Sequence, residues 1–264
     1  MTDRLAHFTS SLRERTTLLK LAGVPALISQ PEGEGPTPLL LWLHGRTANK
    51  ELDAARYLRL IRAGIAVCAI DLPGHGERED LDLHDPAALP DLLRLGLAEV
   101  DEVLAALREG RWSKQLRADR MAMGGMSAGG MITLRRLCDP HHFRCAHVES
   151  TAGDFQAAAG SPQDRWIAAR MNGLDPALHL AGWAPLPLLA LHSERDALAP
   201  VAGIRRFVER LRDHYHRRGA DPELARLHTW PETGAPLEHA GFGRVAGESR
   251  KLMLAFLGEH LRLD

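Results

Sequence analysis

One serine lies in a pattern of small residues near the middle of the chain. Ser127 is the central residue of Gly125–Gly129, which reads Gly-Met-Ser-Ala-Gly and matches G-x-S-x-G. A short apolar run precedes the pattern and a helical pattern follows it, a context typical of a serine nucleophile on a tight turn. The amide of Ala128, at the start of that helix, is then placed to stabilise an oxyanion. The alternative is a glycine-rich turn with a purely structural serine.

A serine hydroxyl is a weak nucleophile without a base, and fourteen histidines compete for that role. His239 is the best candidate, because it follows the last apolar run and lies in a glycine-containing loop. In parallel sheets the reacting groups gather beyond the C-terminal ends of the strands. Four other histidines fall on or near helical patterns, where we expect them at the surface: His141, His142, His214 and His216.

The base in turn needs a carboxylate that fixes its tautomer. Asp196 lies just past a buried apolar run and before a helical pattern, and Glu194 is its competitor. The chain order Ser, Asp, His favours Asp196. Two further carboxylates, Asp154 and Asp164, are expected at the surface.

Two glycine-containing loops follow the first two long apolar runs. In His44-Gly45-Arg46-Thr47 we expect the second oxyanion amide, with Arg46 as the candidate donor and Thr47 left open. His44 is expected to brace this loop by hydrogen bonds. In the next loop His75 either lines the substrate pocket or holds the loop. Arg78 either forms an ordinary solvated ion pair with Glu77 or meets an acidic substrate group.

Unbroken apolar runs are typical of strands that are buried on both faces of a parallel sheet. Thr17–Leu21 and Val24–Ser29 are expected to form an N-terminal hairpin. Six candidate strands follow it: Leu39–Leu43, Ile65–Ile70, Met121–Gly124, Ala146–Glu149, Leu186–His192 and the weaker Leu227–Trp230. Helical spacing of apolar residues falls between them, at Asn49–Ala63, Pro90–Arg108, Val201–Arg218 and Arg244–Leu263. The alternation predicts an α/β fold with a mostly parallel sheet of about eight strands, flanked by helices.

The segment Thr151–Trp183 interrupts this alternation and contains no clear strand. We expect it to form a small helical cap, here called the cap segment, within one domain that spans residues 1–264. Its apolar side chains are candidates for the lining of a substrate pocket: Phe155, Trp166, Ile167, Met171, Leu174, Leu178 and Trp183.

Composition excludes several classes of protein. The net charge of −1 argues against a nucleic-acid-binding protein. The cysteines Cys68, Cys138 and Cys145 are expected to be buried and reduced. No secretory signal and no apolar run long enough to span a bilayer is visible, so we expect a soluble cytoplasmic protein without a membrane partner. No metal-ligand spacing such as H-E-x-x-H occurs, so neither a metal nor another cofactor is expected.

Taken together, the motifs resemble the α/β-hydrolase superfamily, and most closely bacterial carboxylesterases of the prolyl-oligopeptidase/dienelactone-hydrolase branch. The matching segments are Leu43–Glu51, Asp71–Glu79, Gly124–Gly130, Leu191–Pro200 and Glu238–Gly243. The resemblance implies Ser127 as nucleophile, His239 as base and Asp196 as orienting acid, with oxyanion hydrogen bonds from the amides of Arg46 and Ala128. Dienelactone hydrolases carry cysteine where this chain has Ser127, and the family often has glycine where this chain has Arg46.

The predicted activity is hydrolysis of carboxylic esters with small to medium acyl chains through an acyl-enzyme. The candidate substrate-binding residues are His75, Phe155, Trp166 and Trp183. A thioesterase or small-peptide hydrolase would use the same triad, and a non-catalytic binding protein on a hydrolase scaffold is a further alternative. We expect a small-molecule ester as the partner, and a monomer or a homodimer.

Overall fold

The computed structural model describes residues 3–261. Its strands are β1 Thr16–Leu21, β2 Val24–Ser29, β3 Thr37–Leu43, β4 Ala66–Ile70, β5 Leu116–Met126, β6 Cys145–Glu149, β7 Leu188–Ser193 and β8 Ala225–Trp230. They form one sheet in the order β1-β2-β4-β3-β5-β6-β7-β8. The first two pairings are antiparallel and all later ones are parallel. The predicted eight-stranded, mostly parallel sheet is therefore confirmed.

The helices lie between the strands as the alternation predicted. They are α1 Ser10–Arg13, α2 Ala54–Arg62, α3 Leu89–Leu107, α4 Trp112–Gln115, α5 Ala128–Arg136, α6 Phe155–Ala158, α7 Pro162–Arg170, α8 Val201–Arg217 and α9 Ala246–His260. The predicted end of the last helix, Leu263, lies outside the described residues. Among the helices within residues 3–261, none combines the length and the apolar composition that a membrane crossing requires.

Strand β3 shows how the sheet is buried on both faces. Its residues Leu39, Leu41 and Leu43 belong to the core beneath α3, α5 and α8, whereas Leu40 and Trp42 belong to the core beneath α2 and α9. Side chains alternate between the two faces of a strand, so a fully apolar run supplies both cores at once. This double burial fixes the sheet edge at which β3 ends and the loop beginning at His44 emerges.

The cap segment joins β6 to β7 and contains α6, α7 and three short 3-10 turns. Asp154 precedes α6 and is buried, contrary to the expectation of a surface carboxylate. Its Oδ1 accepts the Ala157 amide at 3.0 Å, and its Oδ2 pairs with Arg210 at 3.1 Å. Asp164 is exposed, as expected, and forms a capping box with Ser161 at the start of α7. Asp154 therefore holds the cap segment to α8.

Candidate active site

Ser127 lies on the turn between β5 and α5 in a strained backbone conformation. Its φ of 52° and ψ of −118° are unusual for a residue with a Cβ atom and cost about 1–3 kcal/mol. Three hydrogen bonds hold the turn. Its amide donates to the Glu149 carbonyl at 3.0 Å, and its own carbonyl accepts from the Met131 amide and the Thr151 hydroxyl at 2.9 and 2.8 Å. The strain presents the serine side chain above the end of β5.

The glycines around Ser127 are required by close backbone contacts. A Cβ atom on Gly125 would collide with the backbone of Gly129, and one on Gly129 would collide with the carbonyls of Leu43 and His44. A Cβ atom on Gly45 would lie 3.3 Å from that of Ser127. The small residues in the motif therefore allow the turn to close and the β3–α2 loop to approach the serine.

Ser127, His239 and Asp196 form a continuous chain of hydrogen bonds. The Ser127 hydroxyl lies 2.9 Å from His239 Nε2, and His239 Nδ1 lies 2.8 Å from Asp196 Oδ2. Because an ionised carboxylate only accepts hydrogen bonds, Nδ1 carries the proton and Nε2 is free to accept one from the serine. Asp196 is fixed in turn, since its Oδ1 accepts the amides of Leu198 and Ala199 at 2.9 and 2.7 Å.

The competing side chains lie elsewhere. Glu194 is exposed and binds Arg205 and Thr229 at 2.8 and 2.7 Å, so it is occupied away from His239. Of the four histidines expected at the surface, His142 and His216 are exposed and His141 is half-buried. His214 is buried, contrary to expectation, because its face of α8 packs on the cap segment, where Nε2 binds the Trp183 carbonyl at 2.9 Å.

Two backbone amides are available near the serine hydroxyl. Ala128 is the first residue of α5, so its amide has no acceptor within the helix. In the β3–α2 loop, the Thr47 amide is already bound to His75 Nε2 at 2.9 Å. The Arg46 amide, by contrast, has no acceptor within residues 3–261. Of the two donors that the sequence left open, the geometry therefore favours Arg46 over Thr47.

His44 and His75 brace this loop from inside the protein. His44 Nε2 accepts the Leu72 amide at 3.0 Å, while Nδ1 donates to the Gly45 carbonyl at 2.7 Å. Burial lowers the pKa of His44 to about 4, so the ring is neutral at pH 7, as an acceptor must be. His75 is fully buried and donates from Nδ1 to the Pro73 carbonyl at 2.8 Å. Of the two roles considered for His75, loop support is the one its contacts fit.

A buried ion cluster fixes the same loop. Lys50 is fully buried, and its Nζ contacts Asp71, Glu77 and Glu51 at 2.8, 2.5 and 2.9 Å. Asp71 also accepts the amides of Lys50 and Glu77 at 3.0 and 2.9 Å. Removing one partner of such a cluster leaves an uncompensated buried charge. The helix predicted from Asn49 begins at Ala54, and Lys50 lies buried in the loop ahead of it.

Arg78 belongs to this support and not to the substrate site, and its partner is Glu99 and not the expected Glu77, which binds Lys50. Its guanidinium binds both oxygens of Glu99 at 2.6 Å and donates to the Asp71 carbonyl at 2.6 Å. Behind the serine, Arg56 binds Glu149 in the same bidentate way at 2.8 and 2.6 Å. Burial alone would raise the pKa of Glu149, but the charges and hydrogen bonds of Arg56 and His147 together outweigh burial and hold that pKa far below its usual range.

The loop that carries His239 is held by the preceding residue, Glu238. Both Leu237 and Glu238 have a φ of 54°, a left-handed conformation that is rare for residues other than glycine. The Glu238 carboxylate accepts the Ser193 hydroxyl at 2.6 Å and the amides of Thr233 and Gly234 at 2.6 Å each. These hydrogen bonds lower the pKa of Glu238 to about 2, and the bond from Ser193 has the largest effect. Glu238 thus connects the loop of His239 to the end of β7.

A cavity of about 390 Å³ is lined by chain neighbours of Ser127 and Asp196, although none of Ser127, His239 and Asp196 lies on its wall. Its wall includes Arg46, Met131 one turn after Ser127, and residues 197–200, which follow Asp196. Leu89 is the first residue of α3, and Pro86 lies in the turn before that helix. The cap segment supplies the rest: Ala152, Phe155, Ala158, Ala159, Gln163, Asp164, Ile167, Ala168 and Met171. Most of these side chains are apolar, which suits the apolar part of a ligand.

Of the four candidate substrate-binding residues, the structure places Phe155 on this wall and the other three elsewhere. His75 is the loop brace described above. Trp166 is 56% exposed on the outer face of α7, where Arg170 stacks on its ring. Trp183 is fully buried in the core, where its indole nitrogen donates to the Tyr215 hydroxyl at 2.8 Å. The prediction that Trp166 and Trp183 line the cavity is therefore wrong.

Several wall residues were not singled out from the sequence. Met131 was detectable, because it lies one helical turn after Ser127 and so shares its side of α5. Pro86 and Leu89 carried no such signal, since a long loop after β4 brings them to the site. Among residues 3–261, no group of three His, Cys, Asp or Glu side chains is placed to hold a metal ion.

The chain is similar to several known proteins. Residues 40–262 match the model of the "Alpha/beta hydrolase family". The chain is 28% identical over 198 residues to Esterase YjfP of Escherichia coli (strain K12), an alignment that covers 69% of this chain and 78% of the relative. The crystal structure of TT1662 from Thermus thermophilus superposes with a TM-score of 0.72 and 27% identity, covering 95% of this chain and 99% of that one.

A puromycin-hydrolyzing peptidase of Mycobacterium tuberculosis superposes with a TM-score of 0.69 and 19% identity. The match covers 94% of this chain and 40% of the peptidase, and at this identity it concerns the fold. With the family match spanning most of its length, the chain belongs to the alpha/beta hydrolase family.

Proposed function

We propose that the chain is a serine carboxylesterase in which Ser127, His239 and Asp196 form the catalytic triad. The observation that carries the proposal is the hydrogen-bonded chain from the Ser127 hydroxyl through His239 to Asp196, next to two unoccupied amides. The esterase name of the Escherichia coli relative supports the same activity. The partner is a small-molecule ester that enters the adjoining cavity.

In the acylation step the Ser127 oxygen attacks the ester carbonyl carbon while His239 Nε2 takes the hydroxyl proton. The negative charge that develops on the carbonyl oxygen is stabilised by the amides of Ala128 and Arg46. The C–O bond to the alcohol then breaks, and His239 returns the proton to the leaving oxygen. Asp196 stabilises the protonated ring throughout and keeps Nε2 directed at the serine.

In the deacylation step a water molecule gives its proton to His239 and attacks the acyl-enzyme. The same two amides stabilise the second tetrahedral intermediate, and its collapse releases the acid and restores the Ser127 hydroxyl. Because the loop around Arg46 is held by Lys50 and His75, the amide does not need to move during either step. Such pre-organisation is the main contribution of an oxyanion site to the rate.

The size of the cavity supports small to medium acyl groups. A cavity of about 390 Å³ with a mostly apolar wall accommodates several methylene groups, and beneath the small cap segment we expect it to favour small and medium acyl chains over long ones. Each methylene that enters the cavity contributes about 1 kcal/mol to binding in the transition state. The acyl chain is expected to pass Met131 and Phe155 on its way to the cap segment.

We therefore expect kcat/KM for 4-nitrophenyl esters to rise about fivefold per methylene over the first acyl carbons and then to fall. The measurement is a series from acetate to palmitate with the pure enzyme. A maximum at palmitate would contradict the volume argument. A parallel series of acyl-CoA thioesters and of short peptides tests the other two uses of the triad. If the enzyme hydrolysed either series more efficiently than the esters, a thioesterase or a peptidase activity would be assigned in place of the esterase activity.

Glu238 offers a test of how the base is positioned. In Glu238→Gln the amide oxygen can replace one carboxylate oxygen, but the new NH₂ group then faces the Gly234 amide, so donor meets donor. We expect kcat to fall about tenfold with little change in KM, because His239 is held less firmly while the acyl cavity is unaltered. Steady-state kinetics on the best ester measure both constants.

The matched control is Glu232→Gln. Glu232 is exposed, lies in the same loop, and pairs only with Arg195 and Arg244 at the surface. Such pairs contribute little to stability, so this variant should retain full activity. Equal activity of the two variants would show that the Glu238 contacts do not position the base.

A further inference from the structure

Arg46 stands out among the arginines near the site because it is the one that lines the cavity. The side chain is half-buried, and its Nη1 donates to the His84 carbonyl. Its backbone amide is the proposed oxyanion donor, so the cation is attached to the residue that contacts the reacting carbonyl. Any acyl group in the cavity therefore passes within reach of this charge.

The guanidinium of Arg46 forms no ion pair with an Asp or Glu within residues 3–261. Its neighbours differ in this respect: Arg78 pairs with Glu99, Arg210 with Asp154, and Arg170 with Asp91. A guanidinium has five N–H donors in a fixed planar fork, and the bond to His84 occupies one of them. The remaining donors have no protein acceptor in the described chain.

The one acidic residue on the cavity wall is engaged elsewhere. The Asp164 carboxylate accepts the Ser161 amide at 2.8 Å as part of the capping box of α7. Apart from Arg46, Gln163 and Asp164 the cavity wall is apolar, and it includes Leu89, Met131 and Phe155. An unpaired cation against such a wall is partly desolvated, and a carboxylate from the ligand would restore the lost hydrogen bonds in bidentate form.

Resting on the proposed esterase activity, we propose that the preferred substrates are monoesters of short dicarboxylic acids. The ester carbonyl lies at Ser127, a few methylenes contact the apolar wall, and the free carboxylate pairs with the Arg46 guanidinium. The chain between the two carboxyl groups is short, because one arginine supplies both the oxyanion amide and the cation. Acids of four to six carbons, about the reach of one arginine side chain, fit this arrangement.

The experiment compares monoethyl glutarate with ethyl hexanoate, which is similar in length but uncharged, by titrating the acid released at constant pH. Hydrogen bonds to a charged group correspond to about a 10- to 100-fold effect, so kcat/KM for the glutarate ester should exceed that for the hexanoate ester by this factor. In Arg46→Met the ratio should fall to about one or below, and in Arg46→Lys it should keep an intermediate value.

The matched control is Arg170→Met, which removes a nearby cation that pairs with Asp91 and is not part of the cavity wall; it should keep the wild-type ratio. High salt should reduce the preference of the wild type and leave that of Arg46→Met unchanged. A wild-type enzyme that hydrolyses ethyl hexanoate as efficiently as monoethyl glutarate would overturn the proposal. So would an Arg46→Met variant that folds and keeps the preference.

A binding measurement separates this proposal from the esterase activity. Calorimetric titration with glutarate needs no turnover, and we expect binding to the wild type and Arg170→Met but at least tenfold weaker binding to Arg46→Met. If neither ester is hydrolysed yet glutarate binds in this pattern, the esterase proposal fails and the anion site stands. If both esters are hydrolysed and glutarate binding does not depend on Arg46, only the substrate class is overturned.

Discussion

Replacing Ser127 with alanine should reduce ester hydrolysis by about three orders of magnitude or more while leaving the fold intact. Among residues 3–261 the Ser127 hydroxyl is the group that lies within hydrogen-bond reach of His239 Nε2, so its loss removes the acyl-enzyme route. Alanine has the same Cβ atom as serine, and the hydrogen bonds that hold the strained turn involve only the backbone of Ser127. Measurement of kcat/KM together with the melting temperature separates lost chemistry from lost structure.

The matched control is Ser150→Ala. Ser150 also has a positive φ, of 44°, and its buried hydroxyl has no hydrogen-bond partner in the described part of the chain. Its removal should leave activity near the wild-type value. A fluorophosphonate probe should label Ser127 in the wild type and in the control, but label nothing in Ser127→Ala. A Ser127→Ala variant that retains activity would refute the assignment of the nucleophile.

The same probe should not react with the three cysteines. All are buried, and burial raises the pKa of Cys68, Cys138 and Cys145 to about 12 in each case. A thiol that remains protonated is a poor nucleophile, so these residues do not compete with the serine. Their burial confirms what the composition predicted.

The sequence was sufficient to predict that Ser127, Asp196 and His239 lie close together. Each comes after the C-terminal end of a candidate strand, and those ends lie at one edge of the sheet. Parallel strands deliver their C-terminal ends to the same edge, so position along the chain translates into position in space. The strands themselves were detectable because burial on both faces leaves an uninterrupted apolar run, as in Leu39–Leu43. Local patterns therefore predicted the sheet and the triad geometry together.

Contacts between distant segments were not predictable in the same way. Trp183 is as apolar as Phe155, and the sequence does not show that the first packs on Tyr215 while the second faces the cavity. Lys50 is drawn into the protein by Asp71 and Glu77, which lie more than one element away. The role of Glu238 in holding the loop of His239 could be recognised only from its hydrogen-bond partners in the structure, because an acidic residue next to a catalytic base can have many other roles. These features depend on packing across elements, which periodicity does not encode.

Asp196→Asn should lower kcat by about 10³- to 10⁴-fold, and the hydrogen bonds around the carboxylate explain why. Oδ1 accepts the amides of Leu198 and Ala199, so the asparagine oxygen must occupy that place and its NH₂ group must face His239. A donor at this position forces Nδ1 to become an acceptor and moves the proton to Nε2. The ring then offers a donor to the Ser127 hydroxyl where a base is needed.

Nearby groups give the asparagine no alternative orientation. His192 does not require an oxygen at the Oδ2 position, because its Nε2 already donates to the Ala199 carbonyl at 2.8 Å and lies 3.5 Å from Asp196 Oδ2. A rotated amide would place its NH₂ group against the two backbone donors and lose both bonds. The matched control is Glu194→Gln, which alters an exposed carboxylate bound to Arg205 and Thr229 and should retain activity. If Glu194→Gln proved the more damaging change in kcat, Asp196 would not be the acid of the triad.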